Sequence, residues 1–182
     1  TPYFNLKSQL AKLPAFGLPG TSLIPKVLEP VWEKKCLAEQ LAREFRLPVG
    51  ATIIDLNRRY ALGEAPDNAV WSPNDFTAAR RFIERFANSR CKSSSVQKML
   101  IVDGPWNPLL NANDIPWSTR LKNALLESGL VKELGGGDHL GGLRFSDLIK
   151  LNGLGIASVL EFALMLEWAL DIANTLSPQT RI

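Results

Sequence analysis

Histidine, cysteine and methionine are scarce in this sequence: one histidine, two cysteines and two methionines stand among 182 residues. Cys36 and Cys91 lie far apart with no metal-ligand spacing around them. That points away from a zinc site or a disulfide framework and towards reduced thiols in a cytoplasmic protein. His139, flanked by Asp138 and several glycines, has no nucleophile, base or ligand set near it in sequence and reads as an exposed loop residue. No run of 18 apolar residues occurs. The nearest approach, Val159 to Ile172, is shorter and carries Glu161, Glu167 and Asp171, so no membrane span is expected. A Gly-x-x-x-x-Gly-Lys phosphate loop is missing, Gly135–Gly137 lacks a strand and helix around it, and Asp55 and Asp103 are isolated acids. The expectation is a non-enzymatic chain with no cofactor and no bound metal. The start, Thr1-Pro2-Tyr3, has neither an initiator methionine nor a signal pattern, as in a chain cut or processed from something larger.

What is present is apolar residues, at 46 % ample for a core, and a net charge of +3 that is unevenly spread. Residues 1–112 hold 15 Lys and Arg against 10 Asp and Glu, whereas residues 113–182 hold 6 against 8. Residues 1–23, with Pro2, Pro14, Pro19, Gly17 and Gly20, read as an irregular arm with a short helix over Leu6–Leu13. From Pro25 to Leu47 the apolar residues Val27, Leu28, Val31, Trp32, Leu37, Leu41 and Phe45 fall mostly at threes and fours, the spacing of an amphipathic packing helix. A second helix is expected over Ala51–Leu62, stopped by Gly63. Ser72-Pro73-Asn74-Asp75 is a helix start, with serine as N-cap, proline at N1 and an acid facing the dipole. The helix it opens carries Arg80, Arg81 and Arg85, and Arg90 and Lys92 continue the basic run. That run reads either as a solvated face or as a surface for nucleic acid or an acidic partner. Val96–Val102 fits strand or helix equally. Gly104–Asp114, rich in proline and asparagine, reads as a linker, which divides the chain into an N-terminal region, 1–112, and a module, 113–182.

In the module, Ser118 or Thr119 caps a helix that Gly129 stops, with Leu121, Leu125 and Leu126 on its buried face. Arg120 and Asn123, three apart, share a neighbouring face within its first turns. Gly135–Gly137, Gly141 and Gly142 mark a flexible loop, after which Ser146 is a plausible N-cap. Leu148 and Leu151 then lie on one face of a short helix, Gly153-Leu154-Gly155 makes a turn, and small Ala157 and Ser158 open a long apolar run to Ile172. This is the pattern of a helix-hairpin-helix. Its glycines allow positive φ and close backbone approach. The free N–H groups at the start of its second helix are an anion site, commonly for a DNA phosphate.

Residues 115 to about 173 resemble the C-terminal domain of the bacterial RNA polymerase alpha subunit. Thr119-Arg120-Leu121-Lys122-Asn123 matches that family's arginine and, three places on, its asparagine. Leu154 to Glu161 matches its glycine, serine and glutamate at Gly155, Ser158 and Glu161. Ile156 and Ala157 stand where the family commonly has lysines. The resemblance implies an all-α fold with a compact, SAM-like helix-hairpin-helix module. It also implies minor-groove and phosphate contact through Arg120, Asn123, Gly153, Gly155, Ser158 and Glu161. The function expected is a DNA-binding module of a larger bacterial protein or complex. The alternative is a protein-interaction or scaffold module that keeps the hairpin without DNA contact. Because residues 159–172 are apolar on nearly every face, they require cover from residues 1–112 or from another protein chain.

Overall fold

The computed structural model describes residues 2–63, 70–130, 140–151 and 153–176. Their helices are α1 (Pro2–Leu10), α2 (Glu29–Trp32), α3 (Glu39–Glu44), α4 (Ile53–Leu62), α5 (Pro73–Arg90), α6 (Ser94–Gln97), α7 (Thr119–Glu127), α8 (Phe145–Ile149) and α9 (Ile156–Leu176). Among the described residues there is no strand, only two isolated bridges. The fold is therefore mainly helical, as the periodicity predicts. Among the described residues no helix is long and apolar enough to cross a membrane. His139 and the Gly135–Gly137 loop lie outside the described residues.

The chain forms two units, and their boundary differs from the one composition suggests. Residues 17–93 make one unit; residues 1–16 and 94–182 together make the other. In the unit of residues 17–93, α4 and α5 pack together, and both start with reciprocal caps. The Thr52 hydroxyl accepts from Asp55 N–H at 3.2 Å while the Asp55 carboxylate accepts from Thr52 N–H at 2.8 Å. Ser72 and Asp75 repeat the exchange at 3.2 and 2.7 Å, and each such box satisfies two otherwise unpaired donors. Aromatic rings fill the space around them: Phe45, Trp71, Phe76 and Tyr60 form a chain of ring contacts at 5.2–6.0 Å. Trp32 meets Phe86 edge-on at 5.5 Å. Buried Asn57 ties the preceding arm to α4, accepting from Leu23 N–H at 2.8 Å and donating to the Ser22 hydroxyl at 2.9 Å.

The single amphipathic helix expected over 25–47 is instead α2 and α3 with an extended link. Its apolar positions step by five between Trp32 and Leu37, and the helix breaks there. Leu37 N–H donates to Ala51 carbonyl at 2.8 Å and Ile53 N–H to Lys35 carbonyl at 3.0 Å. This short ladder lets Leu37 reach the core without staying in helical register.

The other unit is built on α9. Val159, Leu160, Phe162, Leu164, Met165 and Leu166 are all buried, each stabilising by about 1.5–3 kcal/mol relative to exposure. Helices α1, α7 and α8 pack on α9, and Leu6 and Leu10 of α1 are buried. The cover that the apolar helix demands thus comes from the chain's own first residues and from residues after 93. With it in place, these side chains do not by themselves call for a second chain.

Gly104–Asp114 is a correction to the linker reading. Leu110, Ala112 and Asn107 are buried, Asn107 to 3 % exposure. Asn107 donates to Asn174 Oδ1 at 3.1 Å and accepts from Leu109 N–H at 3.0 Å. Proline and asparagine here shape a packed irregular segment. Val96–Val102, ambiguous in sequence, holds the end of α6 (Ser94–Gln97) and then an extended piece: Ile101 N–H donates to Leu143 carbonyl at 2.9 Å, Phe145 N–H to Met99 carbonyl at 3.0 Å. Helix α8 begins after Arg144, not after Ser146, because Asp147 accepts from Arg144 N–H at 2.8 Å.

Two measurements check this packing. Leu10→Ala should cost about 2–5 kcal/mol, the range for emptying a buried leucine site, read by urea unfolding; an unchanged midpoint would make α1 a loose arm. Cys36 is exposed and Cys91 buried, and burial pushes the Cys91 thiol up from 9.0 to about 11. A thiol reagent at about pH 8 should therefore label Cys36 alone in the folded chain and both cysteines after unfolding. Because Cys91 stays protonated when folded but ionises earlier when unfolded, its contribution to stability declines as pH rises between 9.0 and about 11.

Candidate nucleic-acid interface

The start of α7 is held by a carboxylate from another helix. Ser118 is the N-cap, its hydroxyl accepting from Leu121 N–H at 3.2 Å. The same hydroxyl donates to Glu161 Oε1 at 2.7 Å, and Ser118 N–H donates to Glu161 Oε2 at 2.8 Å. Glu161 lies on α9 and is only 6 % exposed. A carboxylate at this end also faces the positive pole of the α7 dipole. Next to this lock Trp117 stacks on Phe162, centroids 5.2 Å apart and planes at 5°, and its indole N–H donates to Ala112 carbonyl at 3.1 Å.

Glu161 was expected among the direct DNA contacts. Its burial and its two hydrogen bonds correct that: it positions α7 and has no face left for a groove. Ser158, expected to offer a hydroxyl to phosphate, is likewise 6 % exposed; it lets the helices approach. Arg120 and Asn123, by contrast, are exposed on α7 while Leu121 and Leu125 are buried on its other side. Among the described residues neither Arg120 nor Asn123 has a polar partner.

Between α8 and α9, Gly153 has φ +86°, a left-handed conformation that needs glycine. Gly155 has no such φ, and a Cβ built on either glycine meets nothing within 4 Å. The close backbone approach expected at the turn is absent, and both glycines are exposed. Ile156 and Ala157 are half-buried. Glu161 is six residues beyond Gly155, about 9 Å along the helix, so the Ser118 lock lies near the same end of α9 as the turn. Arg120, Asn123, Gly153 and Gly155 thus belong to one unit, in which the start of α7 is tied to the early turns of α9.

The basic run belongs to the unit of residues 17–93 and is narrower than the sequence suggests. Arg80 is half-buried, donating to Glu84 at 2.9 Å and to Gly17 carbonyl at 3.4 Å. Tyr60 donates to the same carbonyl; burial raises its pKa, nearby Arg80 opposing and Glu84 adding to the effect. Arg80 is therefore structural. Arg90 lies over the Phe86 ring at 5.4 Å. Arg81, Arg85 and Lys92 are exposed. No set of three or more His, Cys, Asp or Glu side chains able to hold a metal occurs among the described residues.

The role of Ser118 as anchor was not visible from its own neighbourhood; only the capping position was, and its partner is 43 residues away. No family model, curated protein or solved structure matches this chain.

The lock and the surface should separate on mutation. Glu161→Ala strands the two Ser118 donors and should cost about 1–3 kcal/mol in denaturant unfolding. Arg120→Ala should change stability by less than about 0.5 kcal/mol, as for a free surface side chain. Equal losses would make Arg120 a structural residue.

Proposed function

We propose that the unit built on α9 is a non-catalytic DNA-binding module of a larger bacterial protein or complex, with α8, the glycine turn and α9 acting as a helix-hairpin-helix. The observation that carries this reading is the pairing of an internal lock with a free surface. Glu161 and Ser118 fix the start of α7, whose Arg120 and Asn123 are left exposed, and the glycine turn of the same unit is open. A helix start held by a buried carboxylate gives its first-turn side chains a defined direction, which is what groove contact requires. Arg120 takes the groove or a phosphate, Asn123 a phosphate or base edge, and the backbone N–H groups after Gly155 a phosphate. The similarity to the polymerase alpha C-terminal domain supports the assignment at Arg120, Asn123 and Gly155.

A protein-interaction module is the second reading. It is favoured by apolar Ile156 and Ala157 where lysines would clamp phosphate, and by exposed Leu126 on α7.

DNA binding by the intact chain should weaken with salt at a log–log slope of about −2 to −5, the value for a few neutralised phosphates. Arg120→Ala should lose about 1–3 kcal/mol of affinity without a change in thermal unfolding. Absence of binding at low salt, or an Arg120→Ala variant that binds as well as wild type, moves the unit to the protein-interaction reading.

A further inference from the structure

Helix α5 is the longest element of the unit of residues 17–93, and its two long sides differ sharply. Ala79, Ile83 and Ala87 are buried. On the side facing away from them Asn74, Thr77, Arg81, Arg85, Asn88 and Ser89 are exposed. Asn74, Thr77, Arg81, Arg85 and Asn88 follow one another by three or four residues, so they form one stripe about 21 Å long.

The acids of this helix are already engaged elsewhere. Asp75 caps the helix start and lies 3.8 Å from Arg46. Glu84 is held by Arg80 at 2.9 Å. Arg81 and Arg85 are left facing solvent with no ion-pair partner among the described residues. They are four apart, about 6 Å along the axis, a like-charged spacing that is unfavourable in the free helix and is relieved by an opposing anion. Arg90 and Lys92 add exposed positive charge at the C-terminal end.

We infer that this stripe of α5 is a second nucleic-acid site, independent of the α7 and glycine-turn site, which holds the sugar-phosphate backbone of a duplex without reading its sequence. The chemistry of the stripe selects the ligand class. Guanidinium and amide donors are side chains that meet phosphate oxygens, and Arg81, Arg85, Asn74 and Asn88 supply them, while the Thr77 hydroxyl already donates to Pro73 carbonyl at 3.1 Å. The stripe contains no large apolar or aromatic side chain, whereas a protein interface needs an apolar centre and a single-strand site needs rings for bases to stack on. Backbone phosphates of a duplex satisfy the donors without requiring either.

The test uses the full chain and a mixed-sequence DNA duplex of roughly 30 base pairs, long enough for about 100 Å of backbone. The variant Arg81→Gln/Arg85→Gln should weaken binding at least about five-fold at low salt and reduce the magnitude of the log–log salt slope by about 2, one per phosphate contact removed. Arg81→Lys/Arg85→Lys keeps the charge and should bind within about two-fold of wild type, because the contact is to phosphate and not to a base edge. Arg120→Ala leaves the α5 part of the slope in place, so failure of one site is distinguishable from failure of the other. An unchanged affinity and slope in the glutamine variant, with the circular dichroism melt preserved, overturns the proposal. So does wild-type chain that binds no duplex at low salt. Polyglutamate that displaces the duplex at equal charge, and does so only when Arg81 and Arg85 are present, assigns the stripe to an acidic protein instead and also overturns it.

Discussion

The constraint on which the rest of its unit depends is the apolar character of α9 on almost every side. A helix of this kind is stable in water only when other elements surround it. Helices α7 and α8 are too few to do so, and the chain therefore brings α1 from its first residues. Asn107, donating to Asn174, adds a polar tie from the segment before α7. The unit is consequently discontinuous in sequence, with residues 17–93 forming a separate unit between its two parts. Burying a leucine or aromatic side chain is worth on the order of 2 kcal/mol, which sets the scale of what each side chain buried by α1 contributes.

Burial of α9 also explains the placement of its acid. Glu161 sits inside the apolar belt, where an unpaired carboxylate would be costly. Ser118 supplies two donors to it, and the N-terminal end of α7 supplies the positive pole. One interaction thereby satisfies the acid, caps α7 and sets the direction in which Arg120 and Asn123 leave the surface. The proposed DNA contact therefore depends on a residue that never reaches DNA.

The unit of residues 17–93 follows a different plan, with caps at Thr52 and Ser72 and a network of rings that joins Tyr60 of α4 to Phe76 of α5 and runs on to Trp71 and Phe45. Arg80 serves Glu84 and Gly17, and Asp75 serves its own helix start, so the remaining arginines of α5 form a narrower and more strongly directed surface than their number in the sequence suggests.

Helix starts were legible in the sequence where a serine cap gives a strong local signal. Ser72 with Pro73 and Asp75, and Ser118, lie within one turn of the groups they satisfy, whereas the Thr52 and Arg144 caps, equally local, carry weaker residue signals and emerge only from the structure. The positive φ of Gly153 was legible for the same reason, as were the exposed positions of Arg120 and Asn123 beside the leucines of α7. Hidden from it was everything decided by distant partners. Lys35 to Leu37 leave helical form because Ala51 and Ile53 offer them hydrogen bonds. Gly104–Asp114 has the composition of a linker yet is buried, because Asn174 and the apolar belt lie against it. Residues 1–16 look like an arm until α9 is there to receive Leu6 and Leu10. Composition and spacing report what a segment does alone, and so they determined the helical class, the Ser72 and Ser118 helix starts and the turn at Gly153. Which segments share a core, and whether Glu161 faces a ligand or the interior, rests on contacts between residues far apart in sequence, and those exist only once the chain has folded.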